Sequence, residues 1–390
     1  MDKLSTLINE LCPSGVEYKT LNEIANYRRG SFPQPYGQAS WYGGEGAMPF
    51  VQVADVTDTF KLVDETKQTI SKLAQPKSIF VPKGTVIVTL QGTLGRVAIT
   101  QYDSYVDRTL AIFESFKIDN IDKKYFAYQL KAKFDVEKQH ARGSTLKTIT
   151  KEEFSKFAIP VPPMEVQCEI VRILDNFTEL TAELTAELTA RKKQYEYYRD
   201  QLLTFDKNDT NVVWKTLQEV LTIKNGKDYK TLGLGDIPVY GTGGIMCYVD
   251  TFAFDKPSVL IPRKGSIDKL YYVDIPFWTV DTIFYTDIDV SKVIPKYIYY
   301  YLQKEHLEKL NTAGGVPSLT QAVLNKVTIP VPSLKEQSRI VSILDRFDKL
   351  CNDISEGLPA EIEARKKQYE YYRDKLLTFE PIQLTEKELA

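Results

Sequence analysis

The sequence has few of the residues that build disulfide frameworks and metal centres, and it has no long apolar segment. It contains 4 cysteines and 2 histidines in 390 residues. The cysteines are far apart and form no CxxC pair, which argues against a disulfide framework and a zinc site. The apolar runs fall far short of the roughly 20 residues that cross a bilayer. The N-terminus lacks the basic and apolar segments of a secretion signal, so we expect a cytoplasmic protein.

Motifs of common enzymes are also missing. The sequence has no GxxxxGK[ST] loop for nucleotide phosphates, no HExxH motif and no Asp/Asn-Pro-Pro-Tyr segment of an aminomethyltransferase. Glu65 and Lys67 have the spacing of a nuclease ExK triplet, but such triplets are common in charged chains. The pattern predicts a binding protein with no catalytic or metal-binding residue. A metal-dependent nuclease that uses Glu65 and Lys67 is the catalytic alternative.

The bulk charge gives no indication of a nucleic-acid partner, because the formal net charge is −2. Hydrophobic residues make up 43% and charged residues 26% of the chain, which is typical of a folded protein with enough apolar material for its cores. A chain of this length predicts two or three domains.

The chain contains an internal duplication. Residues 190–205 and 364–379 are identical at all but one position, and an Ile-Pro-Val-Pro segment stands ahead of each copy. Such identity does not arise by chance, so each half of the chain is one copy of a repeat. Residues 16–23 are similar to residues 212–219, which follow the first copy. We therefore expect the N-terminus to lie beside the end of the second copy, in a circular arrangement.

The duplicated segments have the apolar spacing of long helices. Apolar residues recur at steps of three and four from Ile170 to Leu202, and again from Ile340 to Leu376. A continuous helix over the first of these blocks is about 60 Å long. Gly357 and Pro359 are expected to kink or restart the second helix. An apolar stripe of this length needs a partner, and the duplicate helix is the simplest one.

The blocks ahead of the helices contain short β-rich runs followed by a helix. Strands are predicted at residues 48–53, 78–81, 85–90, 96–100 and 109–114, and in the second block at 237–240, 258–261, 269–273 and 282–286. Helices are predicted at residues 122–137 and 295–310. The fold class is therefore α+β, with one α+β domain in each repeat. The predicted boundaries are 1–158 and 211–328 for the globular domains, and 159–210 and 329–390 for the helical regions.

The duplicated helical segments, their Ile-Pro-Val-Pro leaders and the differing blocks between them resemble the specificity (S) subunit of type I restriction–modification systems. The resemblance covers essentially residues 10–380. It implies that each globular block is a target recognition domain for one half of an asymmetric, bipartite double-stranded DNA sequence. It also implies that the two helical regions pack as an antiparallel coiled coil, with a pseudo-two-fold relation between the domains. A standalone DNA-bridging protein is the alternative.

The resemblance implies partners rather than catalysis. Two methyltransferase (M) subunits would bind S-adenosylmethionine and methylate adenine N6, and restriction (R) subunits would join them with ATP and Mg. No cofactor is then expected in this chain. A four-residue Thr-Ala-Glu-Leu period lies in the first helix. Because four helical residues add a net rotation of about 40° and one base pair about 35°, one such unit is predicted to change the unread DNA gap by about one base pair.

Base recognition needs paired donors and acceptors on loops that enter a groove. Polar loops with Arg, Lys, Gln, Ser and Thr supply the candidates, although each could equally be a solvated turn. The DNA-binding candidates are Arg28, Arg29, Gln34, Gln38, Gln91, Thr93, Arg96, Arg142, Ser144 and Lys147 in the first block, and Lys224, Lys227, Thr242, Arg263, Lys264 and Ser266 in the second. Phe277 and Trp278 are interpreted as core residues rather than base-stacking ones.

The identical helical segments suit a site that the same partner uses twice, whereas positions that read different half-sites should differ. These segments hold more aromatic residues than one buried stripe needs, so some are expected to contact the M subunits. The partner-binding candidates are Arg191, Tyr195, Tyr197, Tyr198 and Arg199, with Arg365, Tyr369, Tyr371, Tyr372 and Arg373 in the second copy.

Overall fold

The computed structural model describes residues 2–140, 149, 151–311, 317–353 and 356–382. It divides the chain into two compact units. Unit 1 comprises Met1–Glu183 with Glu363–Ala390, and unit 2 comprises Leu184–Ile362. Each unit therefore contains one globular block and parts of the helical segments from both repeats. The four predicted domain boundaries stay a prediction.

The globular part of unit 1 is α+β. Its elements are α1 (Asp2–Leu11), β1 (Tyr18–Thr20), α2 (Leu21–Ile24), β2 (Ala25–Arg29), β3 (Met48–Val51), β4 (Gln68–Ile70), β5 (Phe80–Val81), β6 (Val86–Thr89), β7 (Val97–Ile99), β8 (Ser104–Val106), β9 (Leu110–Phe116), α3 (Lys123–His140), α4 (Lys151–Ser155) and β10 (Ala158–Pro160). Two four-stranded sheets have the orders β2-β9-β6-β7 and β4-β3-β8-β5, and β1 pairs with β10. The aromatic side chains of α3 pack on the first sheet, with Tyr125 and Phe126 fully buried.

The first long helix, α5 (Met164–Leu202), begins directly after a Pro-Pro pair and contains neither glycine nor proline. Prolines before the first turn fit a helix start, because the first N–H groups have no partner inside the helix. Its first half buries Ile170 and Leu174 in the core of unit 1. Its second half belongs to unit 2, where Tyr195 is buried.

Unit 2 repeats this plan. Its elements are β11 (Val213–Thr216), α6 (Leu217–Val220), β12 (Leu221–Asn225), β13 (Ile237–Gly241), β14 (Gly244–Val249), β15 (Ser258–Pro262), β16 (Tyr271–Val273), β17 (Trp278–Thr279), β18 (Ile283–Ile288), α7 (Pro295–Lys304), α8 (Gln321–Leu324), β19 (Thr328–Val331) and α9 (Leu334–Asn352). The sheets have the orders β12-β18-β15-β16 and β14-β13-β17, and β11 pairs with β19. The last helix of the described residues is α10 (Leu358–Leu376), which belongs largely to unit 1. The predicted α+β fold in two copies is confirmed.

Each Ile-Pro-Val-Pro leader begins within a strand. β10 pairs antiparallel with β1, which places Pro160 opposite Tyr18, and β19 pairs with β11, which places Pro330 opposite Trp214. Thr20 directly precedes the short helix α2, and its N–H and hydroxyl donate to the carboxylate of Glu23. Thr216 and Glu219 repeat this arrangement at α6. Each leader is therefore tied to the start of its globular block.

The expected position of the N-terminal segment is confirmed within unit 1. The Val16 N–H donates to the carbonyl of Glu380 at 2.8 Å, and the Tyr18 hydroxyl donates to the carbonyl of Phe379 at 2.8 Å. The segment therefore lies beside the end of α10, just as its duplicate follows the end of α5.

The predicted interruption at Gly357 is also confirmed, since α9 ends at Asn352 and α10 begins at Leu358. The predicted helix over 295–310 is too long, because α7 ends at Lys304. His306 follows with a left-handed φ of 52° and precedes a 3₁₀ turn, Leu307–Leu310. It lies between two helices rather than within one.

Candidate nucleic-acid interface

Three loops of unit 1 emerge at the same end of its first sheet. Arg29 at the end of β2 lies opposite Ala111 near the start of β9. Thr89 at the end of β6 lies opposite Leu110, and the Leu90 N–H donates to the carbonyl of Thr109 at 2.8 Å. The loops after β2 and after β6 therefore lie beside the loop that leads into β9. This brings together two of the predicted DNA-binding loops, residues 28–38 and 91–96.

Gly30 lets the chain leave β2 close to a neighbouring strand. A Cβ at this position would collide with the carbonyl oxygens of Val106 and Asp107. In unit 2 a Cβ on Gly226 would collide in the same way with the carbonyl oxygens of Thr279 and Val280. Both loops therefore need glycine because another backbone segment approaches closely. Neither glycine has a left-handed φ.

The loops at residues 28–38 and 91–96 present mostly exposed polar side chains. Arg28, Arg29, Gln34, Gln38 and Thr93 are exposed, and Gln91 is half-buried. The Arg28 guanidinium lies 3.7 Å from the Glu114 carboxylate across the strand pair. Exposed arginine supplies paired donors for guanine O6 and N7, and exposed glutamine supplies one donor and one acceptor for adenine N7 and N6.

Arg96 is held by its own unit. Its Nη1 donates to the carbonyl of Val56 at 3.3 Å, and its Nε lies 3.3 Å from the Asp58 carboxylate. The guanidinium therefore supports the loop after β3. Its contact with DNA stays a prediction.

Arg108 is a candidate that the sequence analysis missed. It is exposed and lies two residues before β9, and its guanidinium carbon lies 4.6 Å from the centroid of the Phe32 ring. The turn is fixed by Asp107, whose carboxylate accepts the N–H and the hydroxyl of Thr109 at 2.9 and 2.6 Å. The sequence signal for this turn was Asp-Arg-Thr between two β-rich runs. An aspartate side chain stabilises such turns by accepting the backbone N–H two residues later.

A cavity of about 180 Å³ lies beneath the two arginines of β2. Its lining includes Tyr27, Arg28, Arg29, Leu90, Ala111 and Phe154. The lining is mostly apolar and includes two cationic side chains. A site of this kind combines an apolar contact, such as one with a thymine methyl group, with phosphate or base-edge contacts.

In unit 2 the candidate loops emerge at the equivalent end of the equivalent sheet, β12-β18-β15-β16. Asn225 at the end of β12 lies opposite Phe284 of β18, and Pro262 at the end of β15 lies opposite Ile283. The Arg263 N–H donates to the carbonyl of Thr282 at 3.0 Å. The predicted loops at residues 224–227 and 263–266 are therefore neighbours.

The turn at Thr242 joins this cluster through the parallel pairing of β13 and β17. Tyr240 lies opposite Thr279, and the carbonyl of Thr279 accepts the Lys227 N–H at 2.8 Å. The half-buried Thr242 receives the Tyr271 hydroxyl on its carbonyl at 2.9 Å. β14, which follows this turn, was missed from the sequence.

The basic side chains of unit 2 differ in availability. Lys227, Lys264 and Ser266 are exposed. The Lys224 ammonium donates to the Asp287 carboxylate at 2.7 Å, and this hydrogen bond raises the pKa of Lys224. The Arg263 guanidinium lies 5.2 Å from the Phe284 ring centroid.

Phe277 lies in the core of unit 2, whereas Trp278 lies at the edge of that core. Phe277 is fully buried, which confirms its interpretation as a core residue. Trp278 is half-buried and donates its Nε1–H to the carbonyl of Lys227 at 3.0 Å. Trp278 therefore supports the loop rather than projecting from it.

Three predicted DNA-binding residues, Arg142, Ser144 and Lys147, lie outside the described residues, and their role stays a prediction. In unit 2 the segment after residue 316 reaches the loop cluster. The Gly265 N–H donates to the carbonyl of Pro317 at 3.0 Å, and the Leu319 N–H donates to the carbonyl of Arg263 at 2.9 Å. No pattern in the sequence indicated this contact.

The tyrosines of the duplicated helical segments divide into two groups. Tyr197 and Tyr371 occupy equivalent positions and are 59% and 62% exposed. Tyr195 is buried, and its hydroxyl donates to Gln303 at 3.2 Å. Burial raises the pKa of the equivalent Tyr369 to about 12. Tyr198 and Tyr372 each stack on a ring of a neighbouring helix. The exposed pair is thus available to a partner.

The arginines of these segments have partners within their units. The buried Arg199 donates to Asp200 at 2.9 Å, and Arg373 lies 3.5 Å from the Asp135 carboxylate. Arg191 donates to Gln194 at 3.0 Å, and Arg365 donates to Gln368 at 3.3 Å. Their contact with M subunits stays a prediction.

Within the described part of the chain, no helix is long and apolar enough to span a membrane. The same residues contain no group of three or more His, Cys, Asp or Glu side chains that could hold a metal ion.

The model of the type I restriction modification DNA specificity domain matches residues 13–191 and 210–364. A putative type I restriction enzyme specificity subunit from Haemophilus influenzae is 38% identical over 263 residues, which cover 61% of this chain and 68% of the relative. The EcoprrI specificity subunit from Escherichia coli is 28% identical over 378 residues, 91% of this chain and 93% of the relative.

Two solved structures share the fold. The S subunit of a type I restriction–modification system from M. genitalium matches 95% of this chain and 97% of its own, with a TM-score of 0.58 and 18% identity. A chain from a study of the assembly and conformational transition of the type I system matches 94% and 98%, with a TM-score of 0.66 and 17% identity. With two copies of the DNA specificity domain along its length, the chain belongs to the family of type I restriction–modification DNA specificity subunits.

Proposed function

We propose that this chain is the non-catalytic, sequence-specific DNA-binding subunit of a type I restriction–modification complex, and that each unit recognises one half of a bipartite, asymmetric target. One observation carries the proposal. In both units exposed polar loops emerge at the equivalent end of the equivalent sheet, but the side chains on these loops differ. Arg28 and Arg29 stand on β2, where Lys224 and Asn225 stand on β12. Equivalent positions with different side chains suit two different half-sites.

The division of work between side chains follows from their chemistry. Arginine and glutamine make bidentate hydrogen bonds to base edges, so Arg29, Gln34 and Arg108 are assigned to base recognition in the first half-site. Lysine acts mainly as a point charge at phosphates, which fixes position without sequence information. Lys227 and Lys264 are assigned to that role in the second half-site.

We assign to the long helices the role of setting the length of the unread gap between the half-sites. α5 runs through the Thr-Ala-Glu-Leu period without interruption, so the number of periods sets the length of this helix. The exposed Tyr197 and Tyr371 are assigned to the methyltransferase subunits. The flanking residues 190–200 and 364–374 are identical in sequence, which suits one type of partner bound twice. Restriction subunits join through these partners, and S-adenosylmethionine, ATP and Mg belong to the partner subunits rather than to this chain.

The test is selection of duplexes from a random pool by the purified complex of this chain with a methyltransferase subunit. Two short fixed groups of bases separated by a constant gap are expected. In Lys227→Ala/Lys264→Ala, affinity should fall, with a weaker dependence on salt because two phosphate contacts are lost. In Arg28→Ala/Arg29→Ala, only one of the two groups should lose its sequence preference.

Lysines at the opposite ends of the same strands are matched controls. Lys83 precedes β6 and Lys256 precedes β15, and both are exposed. Lys83→Ala and Lys256→Ala should leave the selected sequence and the affinity unchanged. Recovery of one continuous sequence would contradict the proposal. Binding without any sequence preference would favour the DNA-bridging alternative.

A further inference from the structure

Each unit contains a fully buried glutamine at the start of its long helix. Gln167 on α5 accepts the Asp122 N–H on Oε1 at 2.9 Å, and its Nε2 donates to the carbonyls of Asn120 and Pro162 at 2.8 and 2.7 Å. One side-chain amide thus joins the long helix to the segment before α3 and to the proline leader.

Gln337 on α9 makes the same three bonds in unit 2. Its Oε1 accepts the Ile294 N–H at 2.8 Å, and its Nε2 donates to the carbonyls of Lys292 and Pro332 at 3.2 and 2.9 Å. It is also fully buried.

An ion pair with a tyrosine forms a second connection two turns further along each helix. In unit 1 the Asp175 carboxylate accepts the Lys124 ammonium at 2.6 Å and the Tyr128 hydroxyl at 2.7 Å. Both donors lie on α3. Burial and the hydrogen bond to Asp175 raise the pKa of Tyr128, so its hydroxyl stays a donor at neutral pH.

Unit 2 repeats this connection between α7 and α9. The Asp345 carboxylate accepts the Lys296 ammonium at 2.8 Å and the Tyr300 hydroxyl at 2.5 Å. The helices α3 and α7, one in each globular block, are called the globular helices. A further tyrosine of each globular helix donates a hydrogen bond to the proline leader. Tyr125 donates to the carbonyl of Pro160 at 3.1 Å, and Tyr297 donates to that of Pro330 at 2.9 Å.

These bonds join two elements with different tasks. The globular helix packs on the sheet whose end holds the candidate DNA loops, and the long helix carries the spacing between half-sites. A buried polar network is directional, so it fixes an angle that apolar packing alone leaves adjustable. The loops that face DNA differ between the units, whereas this joint is the same in both. That combination indicates a shared geometric role.

We propose that these two joints, Gln167 with Lys124, Tyr128 and Asp175 in unit 1 and Gln337 with Lys296, Tyr300 and Asp345 in unit 2, are positioning elements that fix the accepted gap between the two half-sites. The inference rests on the proposed function. Weakening a joint lets one recognition domain tilt on its helix. Targets whose gap is one base pair too long or too short then become acceptable.

The experiment uses the complex with a methyltransferase subunit and three duplexes that share both half-sites but differ by one base pair in the gap. The readout is the ratio of methylation rates on the correct and altered gaps. In Asp345→Asn and Asp175→Asn this ratio should fall roughly tenfold, which corresponds to about 1.4 kcal/mol. The rate on the correct gap should fall much less, and a role in stability alone would not produce this split.

A matched control lies one turn along α5. Glu179→Gln removes an exposed carboxylate from the same helix, and the ratio should stay at the wild-type value. If Asp345→Asn or Asp175→Asn does not fold, Lys296→Met and Lys124→Met remove the ion pair and keep the tyrosine bond. An unchanged ratio in the folded joint variants would overturn the inference. A wild-type complex with no gap preference would overturn the proposed function itself.

Discussion

The ring of Phe177 stacks on the ring of Tyr372, with centroids 5.4 Å apart and planes inclined by 22°. In unit 2 Phe347 stacks in the same way on Tyr198, at 5.7 Å and 27°. The phenylalanines are equivalent positions of the repeat, and so are the tyrosines. Each unit therefore pairs the early part of one repeat's helix with the late part of the other's, as expected when the duplicate serves as the partner.

Removing one ring tests how much this pairing stabilises unit 1. Phe177→Ala should lower the free energy of unfolding by about 2 kcal/mol, below the 3–5 kcal/mol typical of fully buried phenylalanine because Phe177 is half-buried. Urea unfolding measures the change. Leu180→Ala is the control, since Leu180 is 45% exposed on the same helix. Equal losses in the two variants would argue against the stacked pair.

The close backbone approach at Gly226 gives a second prediction. In Gly226→Ala the new methyl group meets two carbonyl oxygens, so the strands must separate. Overpacking of this kind should cost about 2 kcal/mol in stability. Gly243→Ala is the matched control, because a Cβ there meets nothing within 4 Å. Thermal unfolding of the two variants should differ clearly, and coincident melting curves would refute the prediction.

Glu169 gives a prediction about acid stability. Its buried carboxylate accepts Arg172 at 2.6 Å and Lys3 at 3.1 Å. The bond from Arg172, aided by Lys3, lowers the pKa of Glu169 from 4.5 to about 2. Because the folded-state pKa is depressed, this ion pair stabilises the fold fully above about pH 4.5. Its contribution is lost as the pH falls toward 2.

The measurement is urea unfolding of wild type and Glu169→Gln as a function of pH. The stability difference between the two proteins should be largest near neutral pH and should shrink from about pH 5 downward. Glu165→Gln, on the exposed face of the same helix, should show no such trend. A difference for Glu169→Gln that is constant across this range would show that the ion pair does not stabilise the fold.

The four-residue period in α5 gives a prediction about the target. Deleting residues 181–184 removes one period, about 6 Å of helix with a net rotation of about 40°. The unread gap should change by about one base pair, while both half-sites stay the same. Thr181→Ala keeps the helix length and should keep the gap. Methylome mapping measures the gap, and an unchanged gap in the deletion variant would exclude the helix as the spacing element.

Much of the fold was predictable because it is written twice. The repeat gave two copies of one α+β domain, and the similarity of residues 16–23 to 212–219 placed the N-terminal segment beside the end of α10. The break at Gly357 followed from glycine and proline in a helical pattern. β14 was missed although Thr242 and Gly243 form a two-residue turn, because the run after it lacks regular alternation between polar and apolar residues.

The site was less predictable. Loops rich in Arg, Gln, Gly and Lys could be listed, but only the strand register shows that they emerge at one sheet end. Lys224 and Arg96 have their charges engaged by Asp287 and Asp58, respectively, and sequence gives no access to such pairings. The joint at Gln167 was invisible for the same reason. Two of its three bonds go to backbone groups 45 and 47 residues earlier, which leave no pattern in the chain.

The most direct test of the central claim is a genome-wide map of N6-methyladenine in a host without that modification, after expression of this chain with a methyltransferase subunit of its system. The account predicts one two-part motif with a fixed unread gap, with the modified adenines inside the two fixed parts. The absence of such a motif, when the same methyltransferase subunit binds this chain and is active with another specificity subunit, would contradict it.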